Sequence, residues 1–141
     1  MFNKMGEYWH NVTLPEQDRG LMTDGSCIIG FVGDCLDSEN SPIRVTSGSK
    51  LLIHPVSSKD LNLHIGKLIT FVLTDGELVR DGWEIKSGTY MTKYLSNVSR
   101  DRVEVKCYNP TEMTIDFYPI SVKFYVVDKV YTPEQVRNLE W

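Results

Sequence analysis

No alanine occurs anywhere in the 141 residues of this chain. Alanine is the strongest helix former, and the residues used instead include many valines, isoleucines, threonines and tyrosines, which suit a pleated, half-buried surface. A β-rich fold is the expectation. Candidate strands are CIIGFVG (27–33), SKLLIHPV (49–56), KLITFVLTDG (67–76), TYMTKYLSNV (89–98), DRVEVKCYN (101–109) and ISVKFYVVDKVY (120–131). In the fifth, Val103, Val105 and Cys107 alternate with Glu104, Lys106 and Tyr108, the period-two pattern of a strand with one buried face, so Cys107 is expected in the core. Turns are expected at Thr46-Ser47-Gly48, Thr74-Asp75-Gly76, Asp81-Gly82, Ser87-Gly88 and Asn109-Pro110, where Gly, Pro, Asn and Asp provide the dihedrals that turns require. Short strands with this punctuation predict a mostly β domain, a coiled antiparallel sheet or partial barrel.

The ends read differently. Thr132-Pro133-Glu134-Gln135 combines a capping residue, a proline suited to a first helical turn and a glutamine three positions after the cap, which predicts a short C-terminal helix. Its Val136, Leu139 or Trp141 can pack on the sheet or on a second subunit. LPEQDRG predicts one helical turn, while residues 1–26 as a whole read as an N-terminal arm ahead of a single domain, 27–141.

Charge and composition narrow the function. Hydrophobic residues make up 41% and charged residues 24%, enough apolar material for a core and too little charge for a disordered tail. The net charge of -4 gives no general pull toward nucleic acid, so direct DNA binding is not expected. No apolar run approaches the length needed to cross a bilayer, and MFNKMGEYWH lacks the apolar core of a secretory signal. The expected location is cytoplasmic, without membrane contact. Cys27, Cys35 and Cys107 show no close paired spacing, so reduced thiols are expected, and His10, His54 and His64 are scattered singly. Neither a metal site nor a cofactor is predicted. The acidic run Asp34, Asp37 and Glu39 lacks the spacing of a calcium loop and reads as surface solvation.

One cysteine stands in an unusual place. Gly33-Asp34-Cys35 follows an apolar strand, and glycine lets the chain turn sharply there and expose the next side chains at a sheet edge. Cys35 is thus a candidate nucleophile, with an inert, partly buried thiol as the alternative. A thiol needs a base or a positive charge beside it to react. Lys93, set within Thr89-Tyr90-Met91-Thr92-Lys93-Tyr94-Leu95 among bulky apolar residues, is the candidate base, because desolvation favours its neutral amine. A third reading makes Cys35 an oxidant sensor with Cys27 nearby to resolve it.

Val32-Gly33-Asp34-Cys35-Leu36, followed by Ile43 to Gly48 and Lys50-Leu51-Leu52-Ile53, resembles the V-x-G-D-S-M and I-x-x-G-D segments of LexA/UmuD-type peptidases. Gly66 to Phe71 resembles that family's G-D-i-v strand, Met91-Thr92-Lys93-Tyr94-Leu95 its y-V-K-r-l strand, and Tyr108-Asn109-Pro110 its N-P-x-Y turn, in the same order over about 27–131. The resemblance implies the LexA C-terminal-domain type of fold, a homodimer, and a nucleophile at Cys35 with its general base at Lys93. Cysteine stands where the family has serine, Leu36 where it has methionine, and Glu77 to Gly88 adds a hairpin or loop between the two. No Ala-Gly or Cys-Gly bond precedes Gly33, so self-cleavage of the family kind is expected to be reduced or absent. The alternative is a non-catalytic homodimeric module that binds a protein partner. Its pairing elements would be the final strand, expected at a sheet edge, and the C-terminal helix.

Overall fold

The computed structural model describes residues 14–80 and 83–138. A 3-10 helix at Glu16–Leu21 precedes β1 (Cys27–Gly30) and β2 (Lys50–Val56), and a second one, Ser58–His64, leads into β3 (Leu68–Leu73). The hairpin β4 (Glu77–Arg80) and β5 (Trp83–Lys86) is followed by β6 (Tyr90–Val98), β7 (Val103–Cys107), β8 (Met113–Phe117), β9 (Val122–Tyr131) and helix α1 (Pro133–Asn138). Seven strands form one antiparallel sheet in the order β1-β2-β9-β3-β6-β7-β8, and β4-β5 stands as a separate two-stranded ribbon. The sheet does not close: β1 and β8 are its edges. Bulges at Leu52/Ile53 and Leu95/Asn97 bend it, as extra residues in one strand of a pair do.

The fold is the mostly β sheet with a short C-terminal helix that the residue pattern predicts. β3, LITFVL, is apolar but for Thr70 because it is buried on both faces at the centre of the sheet. Ile69, Phe71 and Leu73 enter one core with Leu95, Val105, Ile115, Phe117 and Phe124. Leu68 and Val72 enter the opposite core with Ile29, Leu36, Leu51, Ile53 and Tyr125. Thr70, wholly buried between them, satisfies its hydroxyl against the Thr92 hydroxyl at 2.7 Å. Phe71 anchors the first core, its ring centroid 5.0 Å from that of Phe117 and 6.4 Å from that of Phe124.

Both terminal expectations on described residues have a structural counterpart. Gln135 N–H donates to Thr132 Oγ1 at 3.2 Å and Thr132 N–H to Gln135 Oε1 at 2.9 Å, the reciprocal box that starts α1. Val136 packs on a third cluster of Leu14, Ile28, Leu52 and Tyr131, while Leu139 and Trp141 lie outside the described residues. The turn at LPEQDRG forms the first 3-10 helix, and its buried Asp18 accepts a hydrogen bond from Tyr131 Oη at 2.9 Å. Residues from Leu14 onward are thereby seated on the sheet, across the boundary drawn at 26/27. The Asp81-Gly82 turn and residues 1–13 lie outside the described residues.

Two expectations need correcting. β9 is an interior strand, bonded to β2 on one side and β3 on the other, because its alternate residues feed both cores. It therefore offers no edge for pairing. β8, absent from the predicted strands, pairs along β7 from Val103↔Phe117 to Cys107↔Met113 and forms one edge of the sheet.

Candidate functional site

The segment carrying Cys35 is strapped to the end of β7. Phe31 N–H donates to Ser49 O and Gly48 N–H to Phe31 O, each at 2.9 Å, which continues the β1-β2 pairing past Gly30. The chain then turns at Gly33, whose φ of +125° is a conformation that side chains disfavour; no neighbour lies within 4 Å of an added Cβ, so dihedral freedom is what glycine provides here. Leu36, fully buried, pins the turn into the core. The Cys35 carbonyl accepts hydrogen bonds from Tyr108 N–H at 2.8 Å and Asn109 N–H at 3.1 Å, and Asn109 Nδ2 donates to Asp37 O at 3.2 Å. Two loops distant in sequence are thus held together by two backbone hydrogen bonds and one from the Asn109 side chain.

Lys93 reaches the same place from β6. It pairs with Ile69 of β3, and Met91 pairs with Phe71, so Met91, Lys93 and Leu95 point to the face of the Phe71 core. Extending the Tyr94↔Lys106 register by one residue sets Lys93 across from Cys107 at the end of the β6-β7 ladder. A cavity of about 320 Å³ opens there, lined by Asp34, Cys35, Lys93 and Cys107, with Ile85, Met91 and Met113 on its apolar walls. The β4-β5 hairpin supplies one wall: Ile85 is buried in the core while Glu84 beside it lines the rim.

Burial dominates the electrostatics. Lys93 is only 7% exposed, and desolvation of its ammonium pushes its pKa down from the ordinary 10.5 to about 8, with attraction from Asp34 opposing the fall. The amine therefore changes protonation close to neutral pH, the range in which proton transfer is useful. Cys27, buried in β1, behaves oppositely: burial pushes its thiol up to about 12 and keeps it protonated.

The two residues singled out in the sequence, Cys35 and Lys93, thus line one cavity. The expectation of three reduced thiols is corrected: Cys35 is joined to Cys107 by a disulfide across 72 positions, with Cα atoms 5.2 Å apart. The reading of Cys27 as the resolving partner is corrected with it, since the partner is Cys107 and Cys27 is the one free cysteine among the described residues. Sequence spacing gave no signal for this pair, because contact between residues 35 and 107 depends on the order of strands in the sheet. The period-two pattern placed Cys107 correctly on the buried face, and only its position at the ladder's end makes it part of the cavity.

The other candidates fall elsewhere. His54 Nδ1 lies 2.7 Å from Asp128 Oδ2 across β2 and β9, and His64 sits near Lys67; neither histidine lines the Cys35 cavity. Asp37 is engaged by Arg44 Nε at 2.8 Å, and no cluster of His, Cys, Asp or Glu suited to a metal ion occurs among the described residues. None of the described helices is long and apolar enough to cross a membrane. Comparison with family models, with curated proteins and with solved structures returns no match.

Proposed function

We propose that the chain is a peptidase-like protein of the LexA/UmuD type in which reduced Cys35 is the nucleophile and Lys93 its general base. The observation that carries this reading is the buried Lys93, with its pKa near 8, lining the cavity that Cys35 also lines. The neutral Lys93 amine takes the proton from the Cys35 thiol, and the thiolate attacks an acyl carbon. Backbone amides near Cys35 would receive the charge that develops on the carbonyl oxygen. On collapse the leaving group takes the proton back from Lys93 and departs, and water then hydrolyses the thioester. The substrate class is a peptide or other acyl compound. The working form belongs to a reducing compartment such as the cytoplasm.

A generic acyl donor such as p-nitrophenyl acetate tests this after reduction. The expected result is a burst of p-nitrophenolate approaching one equivalent, with the acetyl group mapped to Cys35 and the burst lost in Lys93→Met. Absence of the adduct, or an undiminished burst in Lys93→Met, refutes the dyad.

The Cys35-Cys107 disulfide favours a second reading, a non-catalytic homodimeric module that binds a protein partner, because the oxidised pair holds no free nucleophile. With β9 interior, the pairing elements left to it are the C-terminal helix and the sheet edges β1 and β8. Sedimentation at two protein concentrations tests the dimer; a monomer throughout removes this form of the reading.

A further inference from the structure

We propose that Cys35 is a site of reversible oxidation and that Cys107 is its resolving cysteine, so that the disulfide between them is the inactive state of the site and the dithiol its active state. The proposal rests on the reading of Cys35 as the nucleophile, since closure removes the sulfur that would attack.

Four features of the molecule support it. Cys35 is half-buried and lines a cavity open to solvent, where a small oxidant reaches it, whereas Cys107 beneath it is 7% exposed. The first sulfur oxidised is therefore the accessible one. The scaffold that brings the two cysteines together does not depend on the S–S bond. The Cys35 carbonyl is held by two amides, Tyr108 and Asn109, immediately after Cys107, and the Asn109 side chain ties Asp37. After reduction the thiols stay adjacent, and closure needs no rearrangement of the sheet. The competing thiol is withheld: Cys27 is 3% exposed on β1 and stays protonated. The Lys93 ammonium in the same cavity favours the Cys35 thiolate, the form that reacts with peroxides.

The chemistry balances with hydrogen peroxide as oxidant. The Cys35 thiolate attacks one peroxide oxygen; the O–O bond breaks, water leaves after taking up a proton, and Cys35 becomes a sulfenic acid. The Cys107 thiol then attacks the Cys35 sulfur, an S–S bond forms, and the sulfenic oxygen departs as a second water. Two electrons have passed from the sulfurs to the peroxide. Two equivalents of a small thiol such as glutathione reverse the change by exchange, returning both cysteines to thiols and leaving glutathione disulfide.

The test uses the full chain carrying Cys27→Ser, reduced, freed of reductant and titrated with hydrogen peroxide. Remaining thiols are counted by mass after iodoacetamide. The expected result is loss of two thiols together, a cross-linked peptide joining residues 35 and 107, and recovery of both thiols in reduced glutathione. In the further variant Cys107→Ser, sulfenic acid on Cys35 should persist long enough for dimedone to capture it. A pair that glutathione leaves closed and only a strong dithiol opens is a permanent staple and overturns the proposal. Failure of the pair to form overturns it as well. Thiol counts do not depend on acyl transfer, so a reduced protein that gives no acyl adduct but closes and opens normally refutes the dyad alone.

Discussion

Replacing Lys93 by methionine should make the protein more stable at neutral pH, although it removes the proposed base. Lysine at this site is nearly out of water, and the fall in its pKa from 10.5 to about 8 measures how much the fold disfavours its ammonium form. At about 1.4 kcal/mol for each tenfold change in proton affinity, that is about 3 kcal/mol at pH 7. The sign follows from proton uptake. Between pH 8 and 10.5 the unfolded chain binds more protons at this residue than the folded one, so wild-type stability rises with pH across that window. Below about pH 8 the destabilisation is present in full, and above 10.5 it vanishes. Methionine has similar length and no charge, and it should fit among Met91, Ile85 and Met113 without a large cavity. Allowing for relaxation around the ammonium, the variant should gain roughly 1–3 kcal/mol at pH 7, or about 3–10 °C in Tm for a chain of this size. Urea unfolding of both proteins at pH 7 and pH 10.5 measures the difference. The gain should be clear at the lower pH and shrink toward zero at the higher one. A variant less stable than wild type at pH 7, or a gain that does not change with pH, would refute the account of a strained ammonium.

Two further outcomes follow from other contacts. Reducing the Cys35-Cys107 bond, which closes a loop of 72 positions, should lower stability by roughly 2–4 kcal/mol, read from urea midpoints with and without dithiothreitol; coincident midpoints would contradict the pairing. Tyr131→Phe strips buried Asp18 of its 2.9 Å donor and should cost about 1–3 kcal/mol, with amide exchange in 16–21 accelerating more than in β3; equal protection would show that the contact does not hold the 3-10 helix on the sheet.

Much of the sheet was legible in local chemistry. The six predicted strands all contain observed ones, trimmed at one or both ends: 67–76 shortens to Leu68–Leu73 because Thr74-Asp75-Gly76 turns the chain, with Gly76 at a φ of +73°. The Thr132/Gln135 box started its helix as its residue types require. Glu77 to Gly88 forms a hairpin that the sequence suggested, though not its role as a cavity wall. β8 was hidden although MTIDF alternates, because five residues beside Asn109-Pro110 and exposed polar neighbours give a weak signal on their own. Non-local order was the real limit. Nothing within ISVKFYVVDKVY reveals that the last strand inserts between β2 and β3, and the same long-range arrangement brings Cys107 to Cys35. The positions of Cys35 and Lys93 in one cavity were anticipated through resemblance and side-chain chemistry; the sulfur that shares the cavity with them was not.

The most direct test of the Cys35-Lys93 pair is the pH dependence of iodoacetamide alkylation at Cys35 in the reduced protein, mapped by mass spectrometry and compared with Lys93→Met. The two ionisations are coupled, so the profile reports apparent values for the pair. The account predicts rapid alkylation near pH 7, with an apparent thiol pKa clearly below the ordinary value of about 8.5, and loss of that reactivity in the variant. Slow alkylation with the same pH profile in both proteins would contradict it and leave Cys35 a structural cysteine.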